Sequence, residues 1–215
     1  MKEGKKLQPA VKGLLTRIIK ENKRIIFNGN NYADEWQKDA GKRGPLNHRT
    51  SVDAFEEILA KENIAAFEKY GVLKERELRA RHEVALEQYN KTVNIEAQLM
   101  VLMANRYILP AAYRFEGELA QSVAAMKAVG VVSKETKKTL ETVTRLTDDA
   151  KVSVDKLQNL LEHEANGDIV KHAKYFRDKV IPSMDALRDA GDSLEGIVPH
   201  DVWPLPTYRE MLFVK

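Results

Sequence analysis

Apolar positions follow two different patterns along the chain. From residue 62 to about residue 190 they recur every three or four positions with few breakers, which is the spacing of amphipathic helices. Leu78, Ala85, Tyr89, Val93, Ala97, Met100, Ala104 and Ile108 mark one face of a long helix. Pro110, which lacks an N–H, is expected to end, kink or restart it. Residues 111–129 continue or follow this helix, and Gly130 is a fitting stop. Ser133 is expected to cap a helix reaching about His163, striped by Leu140, Val143, Thr147, Ala150, Val154, Leu157 and Leu161. After the turn signal "NGD" at residues 166–168, a last long helix presents Ile169, Ala173, Phe176, Val180, Leu187 and Ala190, with Pro182 as a kink. So short a connection makes the two helices antiparallel neighbours, which sets Leu157 and Phe176 in facing stripes.

The first sixty residues are mixed. Val11, Leu14, Leu15, Ile18 and Ile19 stripe a helix over residues 8–21. In "RIIFNGNNYADEW", residues 24–36, the β-prone Ile25, Ile26 and Phe27 predict a short strand, and Asn28, Gly29, Asn30 and Asn31, which tolerate positive φ, predict a turn. A short helix over residues 32–41 carries Tyr32 and Trp36, and "GKRGPLN" is a loop. Thr50 or Ser51 then caps "VDAFEEIL", with Asp53 at the positive end of the dipole. The tail "VPHDVWPLPTYREMLF" is punctuated by prolines, and its Trp203, Tyr208, Leu212 and Phe213 are expected to dock on the protein or on a neighbouring subunit. The reading is an all-α protein: an elongated antiparallel helical bundle over residues 61–215, preceded by a small irregular region (helix, short strand, loop) over residues 1–60.

Composition narrows the function classes. None of the 215 residues is cysteine, so disulfides, thiolate metal sites and cysteine nucleophiles are excluded, and a reducing cytoplasm fits. The N-terminal residues have no apolar h-region, and the longest apolar run, residues 99–104, is too short to span a bilayer, so a cytoplasmic protein with no membrane partner is expected. Residues 1–49 hold 12 Lys and Arg against 5 Asp and Glu, and the remainder 23 against 27. The basic segment carries no nucleic-acid motif and its charges are spread singly, so it reads as a solvated or partner-facing surface. Among the five histidines, His82-Glu83 lacks the second histidine of a metal helix because position 86 is Leu, and it reads as a solvated pair. Glu162, His163 and Glu164 point in different directions and do not converge with His172. No Ser-His-Asp, G-x-S-x-G, Walker or G-x-G-x-x-G pattern is present. No catalytic, cofactor-binding or metal residue is assigned. Asn28, Gly29, Asn30, Tyr32, Trp36, Leu157, Phe176, Trp203, Tyr208 and Phe213 are the structural or interface candidates.

Three stretches carry a resemblance: "KRIIFNGNNYADEW" at residues 23–36, "TSVDAFEEILAKENIAAFEKYGVLKERELRARHEVALEQYNKTVNIEA" at residues 50–97 and "WPLPTYREMLF" at residues 203–213. Together they resemble the C-terminal region of type III glutamine synthetase, the long-chain bacterial form. The resemblance implies that the glutamate, ATP and metal-binding residues lie in an upstream catalytic barrel, so that ATP and magnesium belong to the complete parent enzyme and not to this chain. It also implies that residues around "RTSVDAFEEI" form the last element of the catalytic domain, with a helical extension beyond. The expected partners are then the upstream catalytic domain or neighbouring subunits in a homo-oligomer. The sequence departs from the family pattern at Asn31 and Arg209, where glycine is usual, and in the order of Pro45 and Leu46. The alternative reading is an independent helical protein–protein interaction module.

Overall fold

Stripe spacing and caps account for most of the helices observed. The computed structural model describes residues 7–163 and 167–212, except for the side chain of Tyr208. Among these residues every regular element is helical. The chain divides between Arg49 and Thr50 into two units, so the helix opening at Ser51, expected within the first sixty residues, groups with the bundle.

The first unit holds α1 (Leu7–Glu21), a 3₁₀ turn at Lys23–Ile25 and α2 (Asp34–Arg43). The short strand expected at Ile25, Ile26 and Phe27 does not form. Ile25 closes the 3₁₀ turn, and Ile26 is extended (φ −96°, ψ 118°) with no strand to pair with among the described residues. β-propensity describes fit to a pleated surface, and no such surface is offered here.

The second unit runs through α3 (Ser51–Glu56), α4 (Lys61–Lys69), α5 (Glu75–Met103), α6 (Leu109–Ala128), α7 (Lys134–Leu161), α8 (Ile169–Tyr175), α9 (Ile181–Glu195) and α10 (Tyr208–Leu212). Thr50 Oγ1 accepts from the Asp53 amide at 3.2 Å and Ser133 Oγ from the Thr136 amide at 3.2 Å, so both expected caps are in place. Gly130, at φ 78°, closes α6 in the left-handed conformation, and the Val131 amide reaches back to the Met126 carbonyl at 2.9 Å.

Neither Pro110 nor Pro182 breaks its helix. Each is preceded by a π turn, Ala104–Ile108 before Pro110 and Phe176–Val180 before Pro182. Leu109 donates to the Ala104 carbonyl and Ile181 to the Phe176 carbonyl, each five residues back. Widening the turn makes room for the ring, which would otherwise strike the carbonyl four residues earlier, and α5–α6 and α8–α9 continue as bulged helices.

The stripes then pack. Val143, Thr147, Ala150, Val154 and Leu157 of α7 are buried, as are Ala173, Phe176, Val180, Leu187 and Ala190 on the facing segment. Tyr175 Oη donates to the Leu160 carbonyl at 3.0 Å, while Ala150 and Leu187 share a cleft, so the two segments run antiparallel. Val93, Ala97, Ala104, Leu109 and Ala112 of the bulged α5–α6 helix complete the main core, and Trp203 joins it from the tail. A smaller core of Val52, Leu86 and Ala173 ties α3 to α5 and α8.

Candidate interaction surface

The stretch around Asn28 is held by its own side chains. The Phe27 and Trp36 rings pack with centroids 4.8 Å apart, and the Arg43 guanidinium lies 5.7 Å from the Phe27 centroid. Arg43 also donates to the Ile26 carbonyl at 2.6 Å and pairs with Asp39 at 2.7 Å, latching the turn onto α2. A Cβ added at Gly29 would stand 2.5 Å from Phe27 Cζ, so a side chain there would have to displace the ring, while the backbone itself makes no demand for glycine. The expected positive φ values are absent: no described non-glycine residue has one, and Gly29 is not among the glycines that do. Asn31 is therefore unstrained. Asn30 Oδ1 accepts from the Tyr32 amide at 3.0 Å in a local side-chain turn. Asn28, Gly29 and Asn30 are exposed, and Tyr32 is 97% exposed.

Within the second unit, α3 is clasped by charge as well as by Val52. Arg177 takes Asp178 with two hydrogen bonds, at 2.7 and 3.0 Å, and also pairs with Asp53, 124 residues earlier. The Lys174 ammonium reaches Glu56 at 2.6 Å. The hydrogen-bonded guanidinium holds the Asp178 carboxyl below the usual carboxylate range. Burial pushes the Tyr89 phenol beside them upward, against the opposing charge of Arg177. The sequence marked Asp53 only as a helix-dipole residue, because nothing local reveals a partner so far along the chain.

Leu157 and Phe176 lie in the main core as expected, and so does Trp203. The tail docks in part: Trp203 is buried and Leu205 is packed against the core, but Leu212 is 58% exposed. Phe213 and the Tyr208 side chain lie outside the described residues. His82 corrects the solvated-pair reading. It is buried on the inner face of α5 together with Leu86 and Asn90, while Glu83 is exposed. Asn90 Nδ2 donates to the Ile169 carbonyl, which joins α5 to the start of α8.

The histidines near the α7–α8 turn serve packing. His163 stacks on Tyr175 with centroids 4.1 Å apart, and His172 leans on Phe176 at 4.5 Å. Burial, reinforced by the nearby His163, lowers the pKa of His172. Glu164 lies outside the described residues. Among the described residues no group of three or more His, Asp or Glu is placed to hold a metal ion, and no helix is long and apolar enough to cross a membrane.

What the molecule does present is uncovered apolar surface on helices. No residue of α1 is buried, and its leucine, isoleucine and valine side chains are each 43–63% exposed. On the outer face of α5, Ile95, Leu99 and Leu102 form a second exposed stripe at i, i+4 and i+7. Contiguous apolar surface of this kind is the ordinary signature of a contact face.

Comparison with known proteins gives these faces a context. A family model for the glutamine synthetase C-terminal domain matches residues 10–127. A glutamine synthetase from Butyrivibrio fibrisolvens is 29% identical over 223 residues, a match covering 98% of this chain and 30% of that protein. A type-3 glutamine synthetase from Dictyostelium discoideum is 28% identical, covering 97% of this chain and 29% of that protein. A glutamine synthetase from Bacteroides fragilis (strain YCH46) is 29% identical, covering 93% and 29%. The chain thus spans about 30% of the length of the curated relatives it matches.

Proposed function

The chain belongs to the glutamine synthetase C-terminal domain family, and from that premise we propose that it is the non-catalytic C-terminal portion of a glutamine synthetase-like protein. Its task is to support the catalytic portion and to supply oligomer contacts. The parent reaction is the ATP-dependent ligation of ammonia to glutamate, with ATP and magnesium held outside this chain. Residues 1–60 lie at the edge of the catalytic portion, their helix α3 packed on the bundle that extends beyond it. The assembly is a cytoplasmic homo-oligomer.

One observation carries this reading: nearly all of the chain, 98%, matches only 30% of a glutamine synthetase. The exposed stripe of Ile95, Leu99 and Leu102 supports the oligomer contacts, since a bundle helix that has already buried one face gains nothing alone from a second apolar face. Phosphoryl transfer to glutamate needs bound metal and positioned cations, together with a cleft that keeps water from the acyl phosphate. The test is phosphate release by the chain with ATP, magnesium, glutamate and ammonium. Background release is expected, and turnover requiring all four components would overturn the reading.

A further inference from the structure

We propose that the apolar face of α1 is the surface on which the rest of a glutamine synthetase polypeptide packs, an inference that rests on the function proposed above. Leu7, Val11, Leu14, Leu15, Ile18 and Ile19 cover a stripe along the whole of the helix, and every one of them is at least 43% exposed. A strict two-position seam, as in a two-stranded coiled coil, would leave Leu15 and Ile19 unused. A stripe this broad fits packing against a larger apolar surface. A fifteen-residue helix is also marginal in water without a partner.

Two further observations identify the occupant. The family match begins at residue 10, so α1 belongs to what the family shares and is not an addition peculiar to this chain. The relatives carry this region with the greater part of their length outside the match, which supplies a body large enough to cover the face. The charge on α1 sets the chemistry of the contact. Lys12 and Arg17 flank the stripe on its two sides, Lys20 lies on the opposite face, and the one described acid of the helix, Glu21, is near Arg17 at 3.8 Å. The covering surface is therefore apolar at its centre and acidic at its rim.

The experiment co-expresses the full chain with a tagged polypeptide comprising the portion of the Butyrivibrio fibrisolvens glutamine synthetase outside the match, and measures co-purification. The native chain is expected to co-elute. The double variant Leu14→Asp, Ile18→Asp should lose roughly tenfold or more of the recovered complex, because two large apolar contacts become buried charges. It should also leave the melting midpoint of the chain alone unchanged. If the native chain fails to co-elute with that polypeptide once circular dichroism has shown the polypeptide folded, the proposed function falls and this inference with it. If native and variant chains co-elute equally, the function stands and the assignment of α1 is wrong. A lowered midpoint for the variant alone, or self-association of the native chain that the variant abolishes in sedimentation, would also overturn the inference, since the chain itself or a second copy would then cover the face.

Discussion

Helices α1 and α7 carry the same kind of stripe and have opposite surroundings. In α7 the stripe residues Val143, Thr147, Ala150, Val154 and Leu157 are at most 1% exposed, whereas in α1 Val11, Leu14, Leu15, Ile18 and Ile19 are 43–55% exposed. Periodicity therefore establishes that a helix has a face to cover, but the cover is a property of whatever lies opposite. In α7 the cover is α6 and the bulged α8–α9 segment of the same unit. For α1 we assign it to another part of a larger assembly.

The sharpest way to break this comparison is to put a charge into each stripe. Leu157→Asp should cost about 4 kcal/mol or more, by burying an unpaired carboxylate in the seam, and should leave the bundle largely unfolded in circular dichroism. Leu14→Asp should stay within about 0.5 kcal/mol in the same urea titration. Equal losses would show that the α1 face is covered within the isolated chain.

The tail repeats the contrast on a smaller scale. Trp203→Ala should cost about 3 kcal/mol by emptying part of the main core, whereas Leu212→Ser, at an exposed position, should be silent in thermal melts. Next in size is the clasp on α3. Arg177→Met keeps the aliphatic stem but removes the pairing with Asp53 and Asp178, for a loss of roughly 1 kcal/mol. Its clearer signature should be faster amide exchange across Ser51–Glu56, with α7 unchanged.

The smallest expected effect is the pH response of His172. Burial lowers its pKa in the folded protein, so the unfolded chain binds the proton first as pH falls. Stability should hold above the ordinary histidine value of 6.5 and decline as pH drops through it toward the lowered folded value. His172→Phe should flatten that decline. Asp168 acts in a separate window. The Lys171 amide and the Lys171 side chain lower its carboxyl pKa, so its contribution is lost only on further acidification, below the usual carboxylate range.

The sequence by itself determined the helical faces of α7 and α9, the caps at Thr50 and Ser133 and the stop at Gly130. Each of these depends on residues within a turn or two of one another, where spacing and backbone chemistry act directly. It also carried the family resemblance, in stretches long enough to be specific. Tertiary structure decided the remainder. A proline inside a helical run is compatible with a break, a kink or a π turn, and only packing on both sides of Pro110 and Pro182 selects the third. The inner face of α5 takes in Leu86 and Asn90 because α3 and α8 approach it, an event that no local window contains. Asp53 meets an arginine 124 residues away. Local chemistry fixes where a helix starts, stops and turns its apolar side; long-range packing fixes which of those sides are covered, as it covers the stripe of α7 and leaves that of α1 exposed.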